Sequence, residues 1–323
     1  MAVRSFAGDL KSLLGHDTGA GLASPAASLS TVHLLHHFQS TASTTLGDST
    51  VQQIMHSHVS HSAWEQPYVM HMLLAVSSAH LKRLAPASNT PEETRLSAVA
   101  EAEHWQNGLS LYRAALAAPA TRSKQNVDAL IGTTFLSVIF AFALEDQIAP
   151  DAFLTEYDKS VAHVLIPMAA GSGIIALNEA VRMHDSIAWM PVLRKGNDRC
   201  RTYTSQLPGI DGLPPALVRV CALDELSSSA NNEYHSILRM LTPLLRLERS
   251  VEHFTKLIAF GGRSFSLFRP LLQRRDAKAL LLLSYWIALL LQLDQWWLND
   301  TAIHALLPFP ASCGYGNYEY LWK

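Results

Sequence analysis

The sequence predicts an all-α protein, and three observations indicate it. Residues 276–299 carry apolar side chains at helical spacing, with Trp286, Leu290 and Trp297 on one stripe. Proline or a capping residue stands before several apolar runs, as is typical of helix starts. Clusters of β-branched residues are scarce, and no Asn-Gly or Asp-Gly pair lies between two alternating segments. Hairpins are therefore not predicted.

Helical signals follow one another through the first third of the chain. Residues 31–46 show near-helical apolar spacing, and Asp48 or Ser49 can cap the next helix. Pro67 opens a longer helix, which stops before Pro86. The early histidine-rich stretch HSHVSH, residues 56–61, is expected in a loop or at a helix end.

The central part of the chain predicts two more helices. Pro91 is placed to start a helix that runs to about residue 118, and Glu92 and Glu93 in its first turn favour the helix dipole. The apolar run 129–144 then reads as a helix buried inside the protein.

The second half is less regular. A concentration of Gly and Pro residues predicts a long loop at 196–215, and Gly261-Gly262 is expected to interrupt the helical pattern. The strongest helix there is expected at 276–299. Other helices are predicted at 215–226, 232–247 and 251–260.

Composition limits the function classes. The 323 residues include 49% apolar and only 16% charged residues, and 25 Lys+Arg against 27 Asp+Glu leave a net charge of −2. A disordered chain is excluded by the apolar content, and a nucleic-acid binder that relies on a general basic excess is not expected. The three cysteines, Cys200, Cys221 and Cys313, form neither a disulfide framework nor a CxxC pair, which suggests a reduced, intracellular protein.

No targeting or membrane segment is expected. The N-terminus has no apolar core typical of a secretory signal, and the apolar runs 129–144 and 279–291 are shorter than the 18 residues that a span needs. We expect a flexible leader at 1–28 and a single all-helical domain at 29–323. The aromatic tail at 311–323 is expected to pack back on the domain.

Motifs for common catalytic sites are weak. AAGSGIIA, residues 169–176, matches a dinucleotide-binding pattern, but Pro167 interrupts the strand that such a site needs, so a glycine-rich turn between helices is expected. His33 and His37 have the i,i+4 spacing of a metal pair, without a carboxylate companion. Neither a metal nor a cofactor is therefore expected.

The apolar patterns resemble a known family. Five segments carry the resemblance: LLHHF (34–38), TASTTL (41–46), QPYVMHMLLAVSSAHLKRLAP (66–86), AEHWQNGLSLYRAAL (102–116) and ALLLLSYWIALLLQLDQWWL (279–298). They look like the C-terminal regulatory domain of fungal zinc binuclear cluster transcription factors, closest to the sterol-uptake regulators. The resemblance implies a multi-helix orthogonal bundle with an apolar pocket that binds a lipophilic small molecule.

One departure from that family opens two functions. No cysteine precedes Cys200, so the six-cysteine zinc cluster is missing from this sequence, and DNA binding in the family's way is not expected. The first hypothesis is a cofactor-independent cyclase or pericyclase of fungal secondary metabolism. This cytoplasmic enzyme would be similar to the hetero-Diels-Alderases of tropolone–sesquiterpenoid biosynthesis. The alternative is a nuclear, ligand-sensing transcriptional regulator or co-regulator.

The cyclase hypothesis needs an apolar cavity and one or two polar donors. The cavity would hold a terpenoid-like or polyketide-like polyene against an electron-poor partner, and His, Tyr or Arg would polarise a carbonyl oxygen. A homodimer is a further candidate assembly. The candidate catalytic residues are His184, Asp185, Tyr157 and His163.

Aromatic residues are the candidate pocket lining. Such side chains usually build a core, but an enclosed ligand pocket needs the same materials, so both interpretations stay open. The candidates are Phe135, Phe142, Arg182, Trp189, Tyr285, Trp286 and Trp297.

Overall fold

A computed structural model of the protein describes residues 25–84, 91–117, 124–144, 156–181, 188–196 and 207–298. Within these ranges the regular elements are helical and none is a strand, which confirms the predicted all-α class. The α-helices are α1 (Pro25–Ser40), α2 (Ser49–Ile54), α3 (Ser60–Glu65), α4 (Pro67–Leu84), α5 (Pro91–Ala117), α6 (Lys124–Ala143), α7 (Glu156–Val181), α8 (Met190–Gly196), α9 (Pro215–Cys221), α10 (His235–Leu244), α11 (Phe254–Gln273) and α12 (Ala277–Leu291).

The chain divides into two compact units. Unit 1 comprises Met1–Phe140 and Leu177–Pro191, and unit 2 comprises Ala141–Ala176 and Val192–Lys323. The single domain at 29–323 stays a prediction. Helix α1 already begins at Pro25, inside the expected leader, and the aromatic tail at 311–323 lies outside the described residues.

Helix α4 is the centre of unit 1. Every residue from Tyr68 to His80 is buried, and the helix packs against α1, α3 and α5. A helix that is buried all round needs apolar side chains on all its faces, and the run VMHMLLAV supplies them. The polar side chains on α4 must then find partners inside the protein.

Several helix starts were predicted from capping residues. The Asp48 side chain accepts a hydrogen bond from the backbone N–H of Val51 at 3.0 Å, which confirms the cap expected for α2. Helix α5 begins at Pro91, also as predicted. Asp276 caps α12 in the same manner, accepting from the backbone N–H of Ala279 at 2.8 Å.

The histidine-rich stretch at 56–61 is not a loop; it connects the end of α2 with the start of α3. Residues Met55–Val59 form one π-helical turn between α2 and α3. The wider turn lets one continuous path of backbone hydrogen bonds join the two helices. His56 and His58 are exposed there, and Met55 and Val59 are buried.

Two glycine segments in unit 2 are helical, contrary to expectation. Gly171 lies inside α7 rather than in a turn, and Gly261-Gly262 lies inside α11 rather than interrupting it. The backbones of α7 and α11 meet at Gly171 and Gly262. A Cβ atom on Gly262 would lie 2.6 Å from the carbonyl carbon and oxygen of Gly171. These glycines allow the two helices to approach closely, which outweighs their low helix propensity.

The last apolar helix is shorter than predicted. Helix α12 ends at Leu291, and a turn with Asp294 at a positive φ of 49° follows it. Trp297 therefore lies beyond the helix, and its expected place on one helical stripe with Trp286 was wrong. Asn and Asp tolerate the left-handed conformation better than most residues, which explains the turn at Asp294.

A buried arginine holds the segment before α9 against α10. Arg239 donates to the backbone carbonyls of Gly209 and Asp211, both at 2.7 Å, and to that of Pro208 at 3.2 Å. The ring of His235, one turn earlier on α10, contacts the Gly209 carbonyl at 3.1 Å. The non-helical residues 207–214 lie in the predicted loop at 196–215, of which residues 197–206 are outside the described part.

One helix in the described ranges is long and apolar enough to span a membrane. The window is Asn126–Ala143 in α6, and 83% of it is buried inside the structure, as is typical of a core helix. This window has 18 residues, whereas the predicted run 129–144 is shorter. Its burial agrees with the predicted core helix. The window begins at Asn126 because Asn126 and Asp128 still leave its mean hydropathy at 1.6, which is high enough for a membrane span.

The contact between α7 and α11 predicts an asymmetric effect of alanine. Gly262→Ala places a methyl group against the Gly171 carbonyl, whereas Gly171→Ala places one at an ordinary 3.4 Å from Gly262. Both changes gain about 1 kcal/mol of helix propensity, so the difference between the variants isolates the steric overlap. We expect Gly262→Ala to be less stable than Gly171→Ala by about 1–3 kcal/mol in urea unfolding. Equal stabilities would show that the helices do not approach this closely.

The buried arginine predicts a second contrast. Arg239→Met keeps an apolar stem but leaves three loop carbonyls without their charged donor, and we expect it to cost about 2–4 kcal/mol. Arg246→Met is the matched control, because Arg246 makes a single exposed bond to the Gly212 carbonyl at 2.8 Å. It should cost at most about 0.5 kcal/mol. Similar losses in both variants would contradict a special role for Arg239.

Candidate functional site

The residues proposed for catalysis fall largely outside the described part. His184, Asp185 and the pocket candidate Arg182 lie outside the described residues. Tyr157 and His163 belong to α7, but their side chains are not among the described ones. Their roles stay predictions.

In unit 1, the structure brings together two of the pocket candidates. Phe135 on α6 and Trp189, just before α8, stack with ring centroids 4.5 Å apart and an interplanar angle of 10°. Both rings are buried. Offset stacking of this kind contributes about 1 kcal/mol beyond the buried area.

Trp189 packs against one face of α6. The indole N–H donates to the Asp128 backbone carbonyl at 3.0 Å, and the Asp128 carboxylate accepts from the backbone N–H of Ala188 at 3.3 Å. Gly132, one turn further along α6, leaves room for the neighbouring side chains. A Cβ atom there would lie 2.9 Å from Val59 and 3.5 Å from the indole ring. Residues 128, 132 and 135 follow the i, i+4, i+7 spacing of one helical face.

In unit 2, three other pocket candidates join a larger aromatic cluster. The ring of Phe142 lies 6.4 Å from that of Trp286 and 5.6 Å from that of Trp297. Trp286 also contacts Phe260, and Trp297 meets Phe254 edge to face. We call this set the unit 2 aromatic cluster; its members are Phe142, Phe254, Phe260, Phe268, Trp286 and Trp297.

Both tryptophans of the unit 2 aromatic cluster have hydrogen-bond partners. The Trp286 indole donates to the Leu257 carbonyl on α11 at 2.8 Å, and the Trp297 indole donates to the Gln295 side chain at 3.2 Å. Gly261 lies against the Trp286 ring, where a Cβ atom would come within 2.6 Å. Trp286 is thus fixed by one polar bond and by the absence of a side chain on α11.

Tyr285 differs from its neighbour Trp286. It is half-buried, and burial raises the pKa of its phenol above the ordinary value. The hydroxyl therefore stays protonated near neutral pH and can donate a hydrogen bond, but it is poorly suited to act as a base. Burial likewise raises the pKa of the Cys221 thiol to about 11, which disfavours a reactive thiolate.

These observations define what the described candidates can do chemically. The aromatic rings are buried against one another, and the indole N–H groups of Trp189, Trp286 and Trp297 have partners, so these rings supply apolar contact and no free donor. In the described ranges, no three His, Cys, Asp or Glu side chains come together as metal ligands.

Sequence reasoning missed two pairs of histidines in unit 1. His37 Nε2 lies 3.1 Å from His80 Nδ1, and His71 Nδ1 lies 3.0 Å from His104 Nδ1. His37 thus bonds across to α4, while His33 on the same helix is exposed. The early cluster of histidines was visible in the sequence, but nothing in their spacing indicates which ones meet.

The comparison with protein families agrees with the fold. A family model described as the fungal specific transcription factor domain matches residues 33–256, which is 224 of the 323 residues. No curated protein matches the chain. The match runs from α1 to the start of α11 and supports the resemblance to fungal transcription factors. The chain belongs to the family of the fungal specific transcription factor domain.

Proposed function

We propose that this chain acts in transcriptional regulation, as a regulatory domain that responds to an apolar small molecule. The observation that carries the proposal is the family match over residues 33–256. This match favours the regulator over the cyclase that the sequence resemblance also allowed.

The charge of the chain supports an indirect mode of action. A net charge of −2 gives no basic excess for neutralising DNA phosphates. The proposal therefore assigns DNA contact to a partner or to a separate DNA-binding segment, and it places the protein in the nucleus. The chain would change the activity of that DNA-binding element.

The aromatic residues support an apolar ligand of the sterol or terpenoid class. The buried rings of Phe135 and Trp189, and those of the unit 2 aromatic cluster, are the apolar side chains against which such a ligand would pack. Such a ligand would be recognised mainly by burial of apolar area, worth about 25 cal/mol per Å². The half-buried Tyr285 hydroxyl, held protonated, is a candidate donor for a ligand hydroxyl or carbonyl oxygen.

Deletion of the gene distinguishes the regulator from the cyclase. In the fungus that encodes the protein, we expect a group of transcripts to fall several-fold on deletion and to recover when the gene is restored. Transcripts and metabolites are measured in the same cultures. Steady transcripts together with an accumulating intermediate or an uncyclised product would overturn the regulator and support the cyclase.

Ligand binding predicts a thermal shift. A sterol or sesquiterpenoid at about 100 times its Kd should add about 2.7 kcal/mol of stability and raise the Tm by several degrees. Trp297→Phe should reduce this shift, because Trp297 is buried in the unit 2 aromatic cluster. Its neighbour Trp296, which is only half-buried, provides the matched control Trp296→Phe, and that variant should keep the shift. No shift with any such ligand, or an equal loss in both variants, would argue against ligand binding by this cluster.

A further inference from the structure

Two buried histidines on α4 each meet a histidine on a neighbouring helix. His80 contacts His37 on α1, and His71 contacts His104 on α5, with ring nitrogens 3.1 and 3.0 Å apart. His71 and His80 are only 2% and 3% exposed. The central helix of unit 1 is thus joined to two of its neighbours by the same kind of contact.

The ring geometry identifies these contacts as hydrogen bonds. The ring centroids are 5.0 Å apart in the His37–His80 pair, about 2 Å more than the separation of the nitrogens. The values for His71–His104 are 5.2 and 3.0 Å. Each pair of nitrogens therefore lies between its two rings, near the line joining their centres. This arrangement suits one N–H donor facing one lone pair, whereas a shared metal ion would need both lone pairs to point aside toward the ion.

We propose that these two histidine pairs are proton-sensitive interhelical contacts. They hold α1 and α5 on α4 at neutral pH and are weakened on acidification. This inference does not depend on the regulatory function. A fully protonated pair has donors on both rings and no acceptor, so its hydrogen bond is lost. A single proton keeps the bond but places a charge in a buried site.

The direction of the pH effect follows from the buried pair. Burial, and then the charge of His37, lower the pKa of His80 to about 4. Burial also lowers the pKa of His37, with smaller contributions from His33 and His36. Both groups are neutral in the folded protein and bind protons on unfolding at mildly acidic pH. The contribution of His80 to stability is complete well above pH 6.5 and is lost as the pH falls from 6.5 toward 4. The contribution of His37 changes in the same direction.

Other charged groups on the packed helices modify this effect. On α1, the charges of His33 and His36 oppose protonation of His37. The carboxyl of Glu101 is buried one turn before His104 on α5, so the His37–His80 pair offers the simpler test. Among the side chains that the structure describes, the remaining charged groups on α4 and on the helices packed against it are Lys82, Arg83, His61, Glu65, Glu103 and Arg113.

The test compares unfolding of the full chain at pH 7.5 and pH 5.5. At pH 5.5 the unfolded protein binds a proton at His80 in about ten of eleven chains, and the folded protein binds almost none. Acidification should therefore raise the unfolding constant of the unaltered protein about tenfold more than that of His80→Gln. The exposed residue His58 supplies the matched control, and His58→Gln should respond to pH as the unaltered protein does. An identical pH response in His80→Gln and the unaltered protein would overturn the proposal.

A second measurement covers the case in which His80→Gln does not fold. The imidazole NMR resonances of the unaltered protein are followed between pH 7.5 and 5.5. The His80 resonance should not titrate in this range. A His80 resonance that titrates near the ordinary value of 6.5, with α1 and α5 still packed, would refute the proposal that these contacts are sensitive to protonation.

Discussion

Burial of α4 on every side, from Tyr68 to His80, is the constraint on which the packing of unit 1 depends. Apolar side chains satisfy it through the hydrophobic effect, but the polar ones must find partners in the interior. A buried imidazole meets this need economically, because the neutral ring carries one donor and one acceptor. His71 and His80 pair with other histidines, so this interior carries no net charge as long as the four rings are neutral.

Unit 2 solves a similar packing problem with different residues. Its large aromatic side chains need space, and the glycines of α11 provide it next to Trp286 and next to the backbone of α7. The indole N–H of Trp286 then reaches a backbone carbonyl on α11. Gly261 thereby makes room for Trp286, and Gly262 makes room for the backbone of α7. This explains why the pair lies inside a helix instead of ending one.

Local signals were sufficient to predict much of the fold. Caps such as Asp48 and helix-opening prolines such as Pro91 act within one turn, so their effect is visible in the sequence. Gly261-Gly262 misled because its role depends on α7, nearly a hundred residues away in the chain. Trp297 misled because apolar spacing continues past Leu291, while the backbone turns at Asp294. In both cases a tertiary contact or a turn overrode the local pattern.

The candidate site was less predictable for the same reason. Aromatic residues can be recognised in a sequence, but whether Phe135 stacks on Trp189 or on another ring depends on the packing of distant helices. The pairing of His37 with His80 spans 43 residues and leaves no trace in their spacing. The sequence thus indicated which residue types form the site, but which of them contact each other is determined by the tertiary structure.

The arginine of α10 has a consequence for how this protein can vary. Arg239 holds residues 208–211 through their backbone carbonyls, which every amino acid provides. Substitutions that change only the side chains of this segment therefore leave its anchor intact, apart from Gly209 and Gly212, whose positive φ angles favour glycine. The exposed Leu207 at its edge is likewise free of this constraint. The segment can diverge in sequence, and so in what its surface displays, while its backbone conformation is maintained.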